Sequence, residues 1–184
     1  MKPLIDTALA DLGSVLHAID PASVKSACNR IAAADKIVLY GCGREGLQLR
    51  GLAMRLHHLG LKVAMQGDMA APPVGPGDLL IASAGPGELA TVTALMRVAR
   101  EAAADVLFLT ATPKTPAAAL ATEVLTIPAQ TMASDTSPEA QSILPMGSLY
   151  EGAMFVLFEA MVLTLRDQLG ISPSAMRANH TNLE

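Results

Sequence analysis

Glu151 lies in the segment Leu144-Pro-Met-Gly-Ser-Leu-Tyr-Glu151, at the start of a long apolar run. A carboxylate so placed can serve as a general base, because desolvation by apolar neighbours would raise its pKa toward neutrality, although a helix dipole would oppose that shift. The same position also suits an ordinary acid at a helix N-terminus. Cys42 sits between two glycines in Gly41-Cys-Gly-Arg-Glu-Gly46. At a helix start a thiolate is favoured there, while a small buried filler is the plainer role. A glycine-rich turn of this kind occurs in many nucleotide-binding folds and assigns no ligand alone. His58 falls inside a helical stretch, where packing and hydrogen bonding account for many histidines. Asp135 and Glu139 fall in a polar loop, and no His, Cys, Asp and Glu grouping has metal-ligand spacing.

These residues need a scaffold, and the alternation of the sequence supplies one. Helical spacing over 3–19 and 21–33, with Asp20-Pro21 as N-cap and first helical residue, places two helices before any strand. Lys36-Ile-Val-Leu-Tyr40 is short and β-rich, and runs through the glycine turn into a helix over about 46–59 closed by Gly60. Strands follow near 62–65, 78–82, 105–109 and 123–127, with helical stretches near 88–103 and 116–121. Strands alternating with helices imply parallel pairing. The predicted fold is therefore α/β, a three-layer α/β/α sandwich with a five-stranded parallel sheet, flavodoxin-like, with ligands at the strand C-termini. A polar segment from Pro128 to 138 reads as an exposed loop, and a final long helix over about 148–169 is apolar on more than one face. One side of that helix suits the sheet and another a partner subunit, so a homo-oligomer is expected.

The totals restrict the partners. A chain of 184 residues fits one domain, divided as 1–34 N-terminal helices, 35–128 parallel core, 129–146 loop and 147–184 C-terminal helix and tail. With 51% apolar and 3% aromatic residues, the core must be aliphatic, with ten methionines filling gaps. A formal charge of -4 without a basic run argues against nucleic acid. The apolar stretch Gly152–Leu165 is short for a bilayer and carries Glu159, so no membrane partner is expected. Two cysteines form no disulfide framework, and the N-terminus lacks the order of a signal peptide, which suggests a cytoplasmic protein.

Three segments read together resemble a known family. Gly41-Cys-Gly-Arg-Glu-Gly46, Ala53-Met-Arg-Leu-His-His-Leu-Gly60 and Leu144-Pro-Met-Gly-Ser-Leu-Tyr-Glu151 resemble the SIS (sugar isomerase) domain, and within it the 6-phospho-3-hexuloisomerases. The ending Asn179-His-Thr-Asn-Leu-Glu184 is similar to the Arg-His-Ala-Asn-Leu-Glu ending of those enzymes. The resemblance implies a tetramer, a dimer of dimers, that interconverts a 3-ketohexose phosphate and fructose 6-phosphate through an enediol, with no metal or organic cofactor. It makes Glu151 the base and His180 or His58 its catalytic partner. Substrate-binding positions would be Gly43, Arg44 and Glu45 at the first turn, Arg55 on the following helix, Ala84, Gly85, Gly87 and Glu88 at the second turn, and Ser148.

The sequence departs from the family at the phosphate. The family pattern has a serine where this chain has Glu45, and serine, serine and threonine where it has Ala84, Pro86 and Leu89. Proline also lacks a backbone N–H. A shift of one residue would bring Ser83 into play, and Thr91 is nearby. A carboxylate about 4 Å from a phosphate opposes binding by roughly 4 kcal/mol at an effective dielectric near 20, on the order of a thousandfold in affinity. Glu45 is alternatively a cap for the amides of its own helix. Asn179 replaces an arginine of the family ending, with Arg177 two residues away. Loss of phosphate ligands with retention of Glu151 and His180 points to an altered substrate, so the expectation is a sugar or phosphosugar isomerase, with an unphosphorylated substrate and a phosphate held in an unusual cradle both open; the alternative is a non-catalytic SIS domain that binds a carbohydrate derivative.

Overall fold

The computed structural model describes residues 1–137, 140 and 142–183; Glu139 and Glu184 of the sequence reading lie outside the described residues. Helices α1 (Lys2–Ala18) and α2 (Pro21–Ala33) precede strand β1 (Ile37–Gly41). The chain continues through α3 (Gly43–His58), β2 (Val63–Met65), β3 (Leu79–Ser83), α4 (Ala90–Glu101), β4 (Asp105–Thr110), a one-turn 3-10 helix (Ala117–Leu120) and β5 (Glu123–Thr126). It ends in α5 (Ser148–Leu169) and a short α6 (Pro173–Ala178). The strands form one parallel sheet in the order β2-β1-β3-β4-β5.

Strand alternation sorts the core into two layers, because successive side chains point to opposite faces. Ile37, Leu39, Leu79, Ile81, Leu107 and Leu109 pack against buried residues of α2, α3 and α5. Val38, Leu80, Ala82, Val106 and Phe108 pack against Val92, Met96 and Ala99 of α4 and Ala117 of the 3-10 turn. The α/β/α sandwich is thus as expected but unequal, with one face covered only by α4 and a single turn. By length and composition α5 could cross a membrane, yet Leu149, Ala153, Met154, Leu157, Phe158, Met161 and Leu165 are buried in the core.

Several differences from the sequence reading have local causes. Asp20 caps α2 as expected, accepting from the amides of Ala22 and Ser23. Helix α3 begins at Gly43, three residues before the predicted start, while α4 begins only at Ala90 because Gly87 (φ 95°) and an extended Leu89 delay it. The predicted helix over 116–121 is a 3-10 turn after Pro116. The predicted C-terminal tail contains α6, nucleated by the Ser172 side chain accepting from Ala175 N, with Pro173 at the first helical position.

Candidate active site

The first glycine turn lets α3 start almost in contact with the end of β1. A Cβ on Gly46 would lie 2.5 Å from the carbonyl oxygen of Gly41, so only glycine permits this approach. The turn therefore brings Arg44 and Glu45 over the C-terminal edge of the sheet. From the other side, Met146 (φ 53°) and Gly147 (φ 82°) turn the chain sharply into α5, which places Ser148, Tyr150 and Glu151 over the same edge. Asp135 holds this corner by accepting from the Met146 amide at 2.5 Å. Between them lies a cavity of about 520 Å³ whose lining includes Cys42, Gly43, Arg44, Glu45, Ser148 and Glu151. Ligand at the strand C-termini is what a parallel sheet of this kind favours.

Arg44 ties the two halves together. Its Nε lies 3.0 Å from Glu151 Oε2, its Nη1 donates to Ser148 Oγ at 3.1 Å, and its Nη2 donates to the Met146 carbonyl. The Glu151 side chain is 14% exposed and the Arg44 side chain 50%. Burial raises the Glu151 carboxyl above its ordinary range, Arg44 pulls it back, and the neighbouring Glu45 charge pushes it up again. Cys42 borders the cavity, with its Sγ 3.7 Å from Tyr40 Oη. The other cysteine, Cys28, is fully buried and its thiol is pushed up to about 11.

Glu45 does not cap its own helix; the N-cap of α3 is Cys42 and makes no side-chain bond there. Instead its carboxylate reaches across to the end of β3. Ser83 Oγ donates to Glu45 Oε2 at 2.5 Å, and Gly85 N–H donates to both oxygens at 3.0 and 3.1 Å. The buried Tyr150 hydroxyl lies 3.3 Å from Ser83 Oγ. Burial raises the Glu45 carboxyl, partly offset by these bonds, and burial beside Glu45 drives the Tyr150 phenol well above its ordinary value. Tyr150 is thus a part of the site that residue pattern had not assigned, while Ser83 enters as the one-residue shift of register offered. A serine closing a strand one position beyond its predicted end was the available signal.

The remaining expected residues divide. Ala84, Gly85 and Gly87 form the turn behind Glu45, with Gly87 N–H donating to the Ala84 carbonyl at 2.9 Å. Gly87 packs so closely on Thr112 and Thr115 that its Cβ would lie 2.7 Å from the Thr115 methyl. Glu88 is exposed and does not line the cavity. Arg55 is a correction: it faces α5, where Nε and Nη2 donate to Glu159 Oε1 and Oε2 at 3.0 and 3.1 Å, and that pair explains the charge within the apolar helix. His58 and His180 come together, their rings 5.2 Å apart and stacked, but at the opposite end of α3. Fourteen residues of helix separate Arg44 from His58, roughly 21 Å along the axis. Within one chain neither histidine joins Glu151. Asn179, in place of the family arginine, donates from Nδ2 to the His58 carbonyl at 3.1 Å and so closes the C-terminus of α3. Among the described residues no group of three His, Cys, Asp or Glu side chains could hold a metal.

Comparison with known proteins agrees with this architecture. The SIS domain matches residues 30–155, from the end of α2 into α5. The chain is 34% identical to the 3-hexulose-6-phosphate isomerase of Mycobacterium gastri over 90% of its own length and 82% of the relative's. It is 30% identical to the enzyme of the same name from Bacillus subtilis, over 85% and 84%. A solved structure of a hypothetical protein from Methanococcus jannaschii, for which a 3-hexulose-6-phosphate isomerase function was inferred, superposes with a TM-score of 0.83 at 23% identity, covering 98% of each chain. With the family domain spanning every strand and both glycine turns, and with relatives of this identity over most of their length, the chain belongs to the SIS domain family.

Proposed function

We propose that this chain is a sugar isomerase of the hexulose-isomerase kind, which moves a carbonyl between adjacent carbons by proton transfer through an enediol. The observation that carries the reading is Glu151: a mostly buried carboxylate with a raised pKa, ion-paired to Arg44 and opening onto the cavity at the strand C-termini. Ionised Glu151 takes the proton from the hydroxyl-bearing carbon beside the ketone. The released electron pair forms the carbon–carbon double bond, and the carbonyl oxygen becomes an enediol oxygen. Arg44, half-exposed and lining the cavity, stabilises the charge that develops on that oxygen. A proton then passes from the neighbouring hydroxyl oxygen to the enediolate oxygen, and return of the carbon-bound proton from Glu151 to the former carbonyl carbon leaves the new carbonyl at the adjacent carbon and Glu151 ionised again. This chemistry needs neither a metal nor an organic cofactor. The relatives named above carry the same activity in their names, which supports it here.

His180 and His58 enter this scheme through a second copy of the chain. They lie at the far end of α3, so their catalytic role requires a neighbouring subunit that presents one of them to the cavity. The broad apolar exposure of α1 and α5, including Leu4, Leu9, Phe155 and Leu163, supplies surface for such contacts and supports a homotetramer built as a dimer of dimers. Two free cysteines and the metabolic character of the relatives support a cytoplasmic setting. The carboxylate of Glu45, seated against the second turn, favours the other reading, a binding domain without turnover. Product analysis with 3-ketohexoses, free and 6-phosphorylated, separates them: conversion that falls by about 10²–10⁴ in Glu151→Gln supports the isomerase, whereas ligand binding without conversion in either form supports the binding domain.

A further inference from the structure

At the C-terminal end of β3 the Ser83 hydroxyl and the Gly85 N–H converge on one point, just before the turn that opens α4. Such a convergence at a helix approach is an anion seat. In this chain it already holds an anion, the carboxylate of Glu45, at 2.5 Å from Ser83 Oγ and 3.0 and 3.1 Å from Gly85 N. The seat is closed from behind by Tyr150, 1% exposed, and Ser83 is fully buried. The Gly85 side is filled, since a Cβ there would lie 3.1 Å from both Glu45 Oε1 and the Tyr150 ring, so the carboxylate is approached from the cavity that it lines.

The rest of the cavity offers little to a second anion. Pro86 has no N–H, and the Gly87 N–H is given to the Ala84 carbonyl. Among the described residues Arg44 is the one lysine or arginine of the lining; it faces the carboxylates of Glu45 and Glu151, is held by Glu151, Ser148 and the Met146 carbonyl beside the reacting oxygens, and leaves no second cation for a phosphate at the β3–α4 turn. We propose that the ligand of this cavity presents a hydroxyl or an ammonium group, not a phosphate, to the β3–α4 turn, and that Glu45 is the group that receives it. The polyhydroxylated nature of the ligand rests on the isomerase reading; the exclusion of phosphate rests on Glu45.

Calorimetric titration with fructose 6-phosphate at low salt, with inorganic phosphate as competitor, tests the proposal on wild type, Glu45→Ser and the near-isosteric Glu45→Gln. Glu45→Ser vacates the seat and restores a hydroxyl, so it should bind fructose 6-phosphate at least about a hundredfold more tightly than wild type, with phosphate competing. Glu45→Gln should fall between them. Binding by wild type as tight as by Glu45→Ser overturns the proposal, and so does an absence of binding in all three proteins, which would mean that this is no anion seat. The two readings fail separately. A phosphate gain in Glu45→Ser without turnover of any sugar leaves the seat standing and sinks the isomerase, while turnover of fructose 6-phosphate by wild type does the reverse.

Discussion

Gly46 and Gly51 lie on the same helix and give opposite predictions for the same substitution. In Gly51→Ala the new methyl meets nothing within 4 Å on an exposed face of α3, so the only effect is the better helix propensity of alanine, about 1 kcal/mol in favour of the fold. In Gly46→Ala that gain is opposed by a clash, because the Cβ would lie 2.5 Å from the oxygen and 3.2 Å from the carbonyl carbon of Gly41. Relief needs a backbone shift of roughly 1 Å to reach ordinary contact. Gly41 cannot yield easily, since it pairs with Ser83 in the centre of the sheet. Overpacking against backbone costs about 3 kcal/mol at the upper end of its range, leaving a net loss of about 2 kcal/mol. At about 2–4 °C per kcal/mol for a chain of this size, Gly51→Ala should melt about 2–4 °C higher than wild type and Gly46→Ala about 4–8 °C lower. Calorimetry at one protein concentration reads both, which holds any assembly constant. Equal melting of the two variants would refute the claim that close approach of α3 to β1 fixes the first turn.

Three further outcomes follow from the charges and caps. Glu151 acts ionised and its carboxyl is raised, so the acid limb of a rate–pH profile should lie above the ordinary carboxylate range; Arg44→Ala removes the cation that lowers it, and the limb should move to still higher pH. Glu45 has a folded-state pKa above its unfolded value, so its stability contribution is full below pH about 4 and is lost as pH rises through the raised pKa; urea melts across pH 4–8 should show a smaller decline in Glu45→Gln than in wild type. Asn179→Ala removes the bond to the His58 carbonyl and should cost about 0.5–1 kcal/mol in the same melts, with no change in ligand affinity in a protein held monomeric by dilution.

The layout of the sheet was legible because each strand is a short aliphatic run ended by glycine, proline or a polar residue, as in Ile37–Gly41 and Leu79–Ser83. Helix α2 announced itself through Asp20-Pro21. Glu151 and Arg44 were legible as candidates from their place in two motifs, but their mutual contact was not, since it joins positions 107 residues apart through the turn at Met146–Gly147. The direction of Glu45 depends on Ser83, 38 residues on, and a helix cap was the only partner visible locally. Arg55 read as a ligand for the same reason: its partner Glu159 lies 104 residues away on α5. The two histidines sit together because α6, too short to stand out in sequence, folds Asn179 back onto the end of α3.

Solvent exchange reads directly the step assigned to Glu151, movement of a proton at carbon. Wild type and Glu151→Gln would be incubated in D₂O with 3-ketohexose, free and 6-phosphorylated, and followed by NMR for deuterium entering at the carbons flanking the ketone. Incorporation by wild type should fall by about 10²–10⁴ in Glu151→Gln at unchanged melting temperature. Incorporation that survives in Glu151→Gln, or none by wild type with either sugar, would contradict that assignment.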